Sequence, residues 1–302
     1  MPSCFARRVF KQLKKDKRGI HLKKLRLVMP IEVRPLKRPE EFRQAIEVQR
    51  SAWGMPDLEV IPTRILIAIS RNSGIVLGAF DGGKLVGYSF GFLARDKYGL
   101  YLYSHHTGVV KEYEGQGVGF LLKAKQRECA LKMGLSRVKW TFDPLQSRNS
   151  YFNFTKLGAV ARVFYPNYYG ELFDELNYGL PTDRVVAEWF LRSRRVESRV
   201  SGRIAEPSLG DARHAIEVSK GKPVFTRVAS QKVLVRIPLD INGVKARDLR
   251  LALAWRLSLR RALQLYFRLG YIASHYVKLD DSYGAHVLVK KPLRQILEDQ
   301  AY

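Results

Sequence analysis

Between residues 109 and 120 the chain reads VVKEYEGQGVGF, with Gly115, Gly117 and Gly119 at alternate positions where an apolar strand gives way to a helical pattern. Glycines there leave backbone N–H groups bare, and a helix N-terminus adds partial positive charge, so both features suit a pyrophosphate. A tight turn with no ligand accounts for the same spacing, and the glycines alone do not choose. A Rossmann dinucleotide site would place its glycines after a first parallel strand, with an acid about 20 residues further on. Here they follow several antiparallel strands, which points to another phosphate-binding fold. Cys4 and Cys129 are the only cysteines, so no CxxC pair, zinc ribbon or disulfide framework can form, and no metal site is expected.

The loop must be held by the elements around it. A strand IEVRPL (31–36) and a helical stretch PEEFRQAIEVQRSAWG precede two strands, IVLGAFDG and KLVGYSFGFLA, joined by Asp81, Gly82 and Gly83, a strong hairpin signal. Next come the strand YLYSHHTGVV (101–110), the glycine turn, and a helix from about Gly117 to Met133 that Gly134 ends. A strand RVKWTFDP, a short helix near 149–157, an aromatic strand AVARVFYPNYYG and a strand RVVAEWFL follow. This order predicts an α/β domain over 31–192 built on a mixed, largely antiparallel sheet flanked by helices. RSRRVESRVSGR (192–203) reads as a linker, and 200–302 as a smaller α/β module of strand, helix, strand, strand. Its long helix, about 246–269, carries Arg247, Arg250, Arg256, Arg260, Arg261 and Arg268. They form either an RNA-binding face or a solvated face beside an apolar stripe of Leu249, Leu253, Leu257 and Leu263, the second being favoured.

The 302 residues hold 53 Lys or Arg against 28 Asp or Glu, a net charge of +25. Residues 1–28, with ten Lys or Arg and one acid, carry over a third of that excess. They read as a basic N-terminal extension, either a binding or targeting arm or a dispensable stretch upstream of a functional start at Met29. Such a surface attracts polyanions: RNA, an anionic membrane face, or an anionic small molecule such as a nucleotide cofactor. Composition does not choose among them. No apolar run approaches the roughly 20 residues of a membrane helix, and scarce cysteine predicts a reducing compartment, the cytoplasm.

At the strand ending in Val109 and the turn after it, the chain resembles the GNAT superfamily of acyl-coenzyme A transferases. WTFDPLQSRN (140–149), NFTKLGAV (153–160), NYYG (167–170), LNYGLPTDR (176–184) and Trp189 are similar to a subfamily of predicted GNAT acyltransferases. The resemblance implies transfer of an acyl group, acetyl first, from acyl-CoA to a primary amine of a small molecule or protein, with no metal. The alternatives are a non-catalytic acyl-CoA sensor and a basic RNA-associated protein. Val109 and Lys111 would lend backbone groups to the acyl carbonyl and the pantetheine arm, and the amides of Gly115, Gln116, Gly117, Val118 and Gly119 would hold the pyrophosphate. His105 is the candidate general base, with strand alternation placing His105, Thr107 and Val109 on one face and His106 on the other; a structural hydrogen bond is the equal alternative. Asp143 and Asn149 are candidates for contacting pantetheine or acceptor, or are turn and cap residues. Asp183 and Arg184 are candidates for an amino-acid-like acceptor, or a surface ion pair.

Two departures stand out. Glu114 occupies a position that the superfamily gives to Arg or Gln, and Phe154 stands where its general-acid tyrosine does. ALQLYFRLGY (262–271) fits the tyrosine-helix pattern better, with Tyr266 in place, so the second module reads as a degenerate half-repeat.

Overall fold

The computed structural model describes residues 31–298 except 173, 175 and 205. The chain divides into a unit of residues 1–30 and one of residues 31–302. The basic extension (1–28), the proposed start at Met29 and Cys4 lie outside the described residues. The elements in order are β1 (Glu32–Pro35), α1 (Pro39–Trp53), α2 (Thr63–Arg71), β2 (Ile75–Asp81), β3 (Lys84–Asp96), β4 (Gly99–Val109), α3 (Val118–Lys132), β5 (Arg137–Phe142) and α4 (Ser147–Ser150), which continues as a π-helix over Tyr151–Lys156. Then come β6 (Val160–Tyr165), β7 (Arg184–Phe190), α5 (Arg194–Val200), β8 (Arg213–His214), β9 (Ile216–Ser219), β10 (Lys222–Phe225) and β11 (Lys232–Pro238). The series closes with α6 (Ile241–Arg247), α7 (Leu249–Arg268), β12 (Ile272–Lys278), β13 (Tyr283–Val289) and α8 (Leu293–Glu298).

Local chemistry sets these boundaries. Pro39 opens α1 with its fixed φ, and the Glu41 carboxylate reaches back to the backbone N–H groups of Lys37 (2.8 Å) and Arg38 (3.3 Å). Phe42, Ala45 and Val48 make its buried stripe. Gly82 and Gly83 turn the β2–β3 hairpin with φ of 54° and 91°, a conformation that costs glycine nothing.

Eleven strands form one sheet in the order β1-β2-β3-β4-β5-β7-β6-β12-β13-β11-β8. Its pairs are antiparallel except β4 with β5 and β11 with β8, the mixed, largely antiparallel α/β architecture expected. The sheet carries an internal repetition. The run β5-α4-β6-β7 lies as β5-β7-β6, and β11-α6-α7-β12-β13 lies as β11-β13-β12, so each half puts its third strand between the other two. The halves meet where β6 bridges β12 at Ala161↔Ala273. Each helix preceding that seam ends at a glycine of positive φ, Gly158 and Gly270, the positions that KLGA and RLGY align.

Two expectations are corrected. The stretch 192–203 is not an open linker: Ser193 caps α5 by accepting from the Val196 N–H (3.2 Å), and Arg195 and Arg199 of α5 are buried. The Arg195 guanidinium donates to the carbonyls of Gly158 (3.0 Å), Phe154 (3.2 Å) and Ser274, tying α5 to both halves. On α7 the expected division into an arginine face and a leucine stripe holds only in part: Arg247, Arg250, Arg261 and Arg268 are exposed and Leu263 is buried, but the other members are exchanged. Leu249, Leu253 and Leu257 are 47, 37 and 36% exposed, whereas Arg256 is buried and Arg260 half-buried. Ala252, Trp255, Leu259, Ala262, Leu263 and Tyr266 face the core instead.

Candidate active site

The site begins with two parallel strands that part. β4 and β5 pair only at Leu102↔Val138 and Tyr103↔Lys139. Past those residues β4 keeps its partner β3, while Trp140–Phe142 of β5 keep theirs in β7. A gap therefore opens toward the C-terminal ends of both strands. The Val110 N–H donates to Val86 of β3 (3.0 Å). Because successive strand amides point to opposite edges, those of Val109 and Thr107 face the gap.

At the open end the chain makes a 3-10 turn over Lys111–Tyr113 and reaches α3 through Gly115 and Gly117, with φ of 74° and 84°. A Cβ at either would touch nothing, so the requirement for glycine is conformational. The first amides of α3, Val118, Gly119 and Phe120, have no helical carbonyl ahead of them. The Gln116 N–H is already engaged by the Tyr113 carbonyl (3.4 Å), and the Lys111 N–H donates to Ser51 Oγ (3.2 Å). Glu114 is not a lone carboxylate at this mouth: Arg148 of α4 pairs with it at 3.0 Å. Arg148 escaped the sequence reading because only the fold brings α4 across from the glycine turn.

The two histidines depart from simple alternation. The β3–β4 register slips between Phe90↔His106 and Gly91↔Ser104, which makes His105 the extra residue of a β-bulge. His105 and His106 therefore share a face, their rings stacked at 4.5 Å, while Thr107 joins Ser104 on the opposite face. His106 is fixed by the Tyr88 hydroxyl at its Nδ1 (2.7 Å) and by the Trp53 ring, and burial beside a second imidazole pushes it down to about 3. His105 sits among Phe90, Phe92 and Tyr103, and desolvation lowers its pKa below the ordinary 6.5, so it stands neutral at pH 7. Tyr103 extends this aromatic surface toward Tyr169, whose hydroxyl meets Thr141 Oγ1 of β5 at 2.9 Å. Tyr168 and Tyr165 continue it outward.

On the opposite face, under α3, lies a polar cluster that the sequence reading missed. Lys123 Nζ donates to Ser104 Oγ (2.8 Å) and Gln126 Oε1 (3.2 Å) and lies 3.9 Å from the Trp140 ring centre. Gln126 Nε2 donates to Ser89 Oγ (3.0 Å), which meets Thr107 Oγ1 (2.9 Å). Burial pushes Lys123 down to about 7. The signal was present in the spacing, since Gly119, Lys123, Gln126 and Ala130 follow one helical face, but a lysine among LLKAKQRE looks like a solvated one.

The remaining candidates are placed as follows. Both Asp143 oxygens are held by buried Arg256 (2.6 and 2.5 Å), and one also accepts the Leu145 N–H (2.8 Å). The Asp183 carboxylate takes a fork of bonds from Arg260 (2.9 and 2.7 Å). Arg184 donates to Asn177 Oδ1 (2.7 Å) and packs over Tyr169, and Asn149 is exposed on α4. Phe154 is fully buried against Phe142 and His286. The Tyr266 hydroxyl is occupied by the N–H and carbonyl of Val228 (2.9 and 3.1 Å). The gap thus runs from the amides of Thr107 and Val109 to the glycine loop, with the His105 ring on the aromatic face of the same strand, while Asp143 and Asp183 are drawn to α7.

No protein-family model matches the chain, and no curated protein matches it. Solved structures overlap it in part. The ribosomal-protein-S18-alanine N-acetyltransferase of Escherichia coli overlaps 53% of this chain and 92% of that one, with 12% identity and a TM-score of 0.42. The PaiA N-acetyltransferase of Thermoplasma acidophilum, in complex with coenzyme A, overlaps 53% and 98%, with 18% identity and a TM-score of 0.38. An aminoglycoside acetyltransferase from an uncultured soil metagenomic sample overlaps 39% and 82%, with 18% identity and a TM-score of 0.36.

Proposed function

We propose that the protein moves an acyl group from acyl-CoA to a primary amine by direct attack within a ternary complex. The observation that carries this is the parting of β4 and β5, a slot with gap-facing amides along one wall and a glycine-rich helix start at its mouth. The helix-start amides would hold the pyrophosphate, and the Val109 and Thr107 N–H groups would meet the pantetheine arm and the acyl carbonyl. The thioester supplies an acyl group already activated for attack. His105, neutral at pH 7 and on the aromatic face, would take the proton that the amine must lose. Phe154 has no proton to give, but a thiol of pKa about 8.5 leaves tolerably as thiolate. Asp143 and Asp183 would shape the acceptor side through α7, with buried Arg184 supporting Tyr169, leaving Tyr103, Tyr169 and Asn149 to meet ligand.

Thiol release on mixing acyl-CoA with a panel of amines tests this reading. Amine-dependent release is expected. Tight coenzyme A binding with no release for any amine or acyl group would favour the sensor reading, which the burial of Phe154 supports. The RNA reading is weakened because Arg256 and Arg260, two of the six arginines it relied on, are engaged inside the fold. No helix among the described residues is long and apolar enough to cross a membrane.

A further inference from the structure

We infer that the slot accepts the coenzyme A thioester of a short dicarboxylic acid, with Lys123 as the group that binds its free carboxylate. This rests on the acyltransferase reading and adds the class of acyl donor to it.

Tyr103 and Lys139 are the last paired residues of β4 and β5, so Ser104 and Trp140 stand immediately past the closed end of the gap. Lys123 hangs from α3 onto both, 2.8 Å from Ser104 Oγ and 3.9 Å from the Trp140 ring centre. An acyl-CoA with its pyrophosphate at Gly115–Gly119 runs down the gap toward that closed end. It presents pantetheine, sulfur, carbonyl and then the far end of the acyl chain. The far end is therefore the part directed at Lys123.

Lys123 is 3% exposed, and its contacts are a hydroxyl, an amide oxygen and an aromatic face. Among the described residues no carboxylate pairs with it. Buried ammonium groups are otherwise paired, because neutral partners only partly replace lost hydration. The nearby polar side chains are all neutral: Ser104 and Gln126 accept from Lys123, and Gln126, Ser89 and Thr107 form a hydrogen-bonded chain. A simple acetyl group would leave Lys123 with neutral partners only, whereas a terminal carboxylate gives its ammonium form a counter-ion. The displaced pKa, about 7, accords with a site that gains its full charge when the anion arrives.

The test is calorimetric titration of the full chain at pH 7.5 with coenzyme A, butyryl-CoA, succinyl-CoA and glutaryl-CoA, butyryl having the length of succinyl without its charge. Succinyl- or glutaryl-CoA is expected to bind at least tenfold more tightly than butyryl-CoA. Its binding should take up protons, seen as a heat that depends on the ionisation enthalpy of the buffer. Lys123→Met should erase the preference while leaving butyryl-CoA affinity within about threefold, which also reports that the variant is folded. If that variant does not fold, the buffer-dependent heat of the parent decides. Equal affinity for butyryl- and succinyl-CoA, or the absence of proton uptake, would overturn the inference and leave acyl transfer standing. A preference that survives Lys123→Met would overturn the assignment to Lys123. Binding of none of the four compounds would overturn the acyl-CoA reading itself.

Discussion

The bulge at His105 decides what that histidine can do, because the extra residue turns its ring to the aromatic face while Thr107 and Val109 keep their amides toward the slot. With His105 as the proposed base on one side of the sheet and the amides along the gap, acceptor and acyl donor would approach from separate sides. His105→Ala is expected to lower kcat about 10²-fold or more, with coenzyme A affinity within twofold. The parent's kcat/KM should fall as pH drops through an inflection below 6.5, because desolvation has lowered the pKa of the free imidazole. An unchanged pH profile in the variant would make His105 structural. Sequence alternation alone misplaced His105, putting it on the face of Thr107, since a bulge leaves no mark in residue types and appears only as a register shift with the neighbouring strand. Glu114 has a similar lesson, because its charge is balanced by a residue 34 positions away. Glu114→Arg is expected to tighten coenzyme A binding threefold to tenfold at low salt, as it removes a competing carboxylate and frees Arg148. The pair is exposed, so about 1 kcal/mol is the ceiling for the released attraction, and the gain should shrink at about 0.5 M salt. Weaker binding by calorimetry would mean that this loop does not hold the phosphates.

At the scale of elements, α7 shows how far patterning reaches. Its length, its glycine end and its apolar content are legible in the sequence, whereas its orientation is not. Arginine has an apolar stem and a fork of donors, so Arg256 and Arg260 can face inward once the fold supplies Asp143 and Asp183. Those aspartates lie on the first half-repeat and the arginines on the second, so the pairs fasten the two halves together. Arg256→Met leaves the Asp143 charge buried without its partner and should cost about 3–5 kcal/mol in urea unfolding. Asp143→Leu combined with Arg256→Met removes both charges and should recover at least half of that loss. A single variant as stable as the parent would show that the pair does not hold the halves together. The half-repeat was suggested by the match of ALQLYFRLGY to the tyrosine-helix pattern, and both helices do end at a glycine of positive φ, Gly158 and Gly270. That Tyr266 ends on the Val228 backbone rather than at a reacting atom could not be read from the alignment of those motifs.

Across the whole molecule, both halves bury imidazoles that the surroundings keep neutral. Burial holds His106 at about 3 and His286 at about 4, and places His275 well below the ordinary value. Each folded pKa lies below the unfolded one near 6.5, so the unfolded chain takes up protons first on acidification. The stability these groups contribute is complete above pH 6.5 and is lost as pH falls toward 3. The urea midpoint should therefore decline steadily from pH 6.5 to 4, before carboxylates such as Glu41, held at about 2, are protonated. A midpoint flat over that range would place the histidines in contact with water. A second whole-molecule prediction concerns the boundary that composition suggested at 192. Cutting there would remove α5, whose Arg195 binds the carbonyls that end the π-helix, and would strip Arg256 and Arg260 from Asp143 and Asp183. It would also open β6 as an edge in place of its contact with β12, and unpaired edges invite association. Residues 31–192 alone are therefore expected to be unfolded or aggregated, while residues 31–302 stay soluble and bind coenzyme A as the full chain does. A monomeric, cooperatively unfolding 31–192 fragment would show that the first half folds without the second and that the continuous sheet forms by docking of two finished domains.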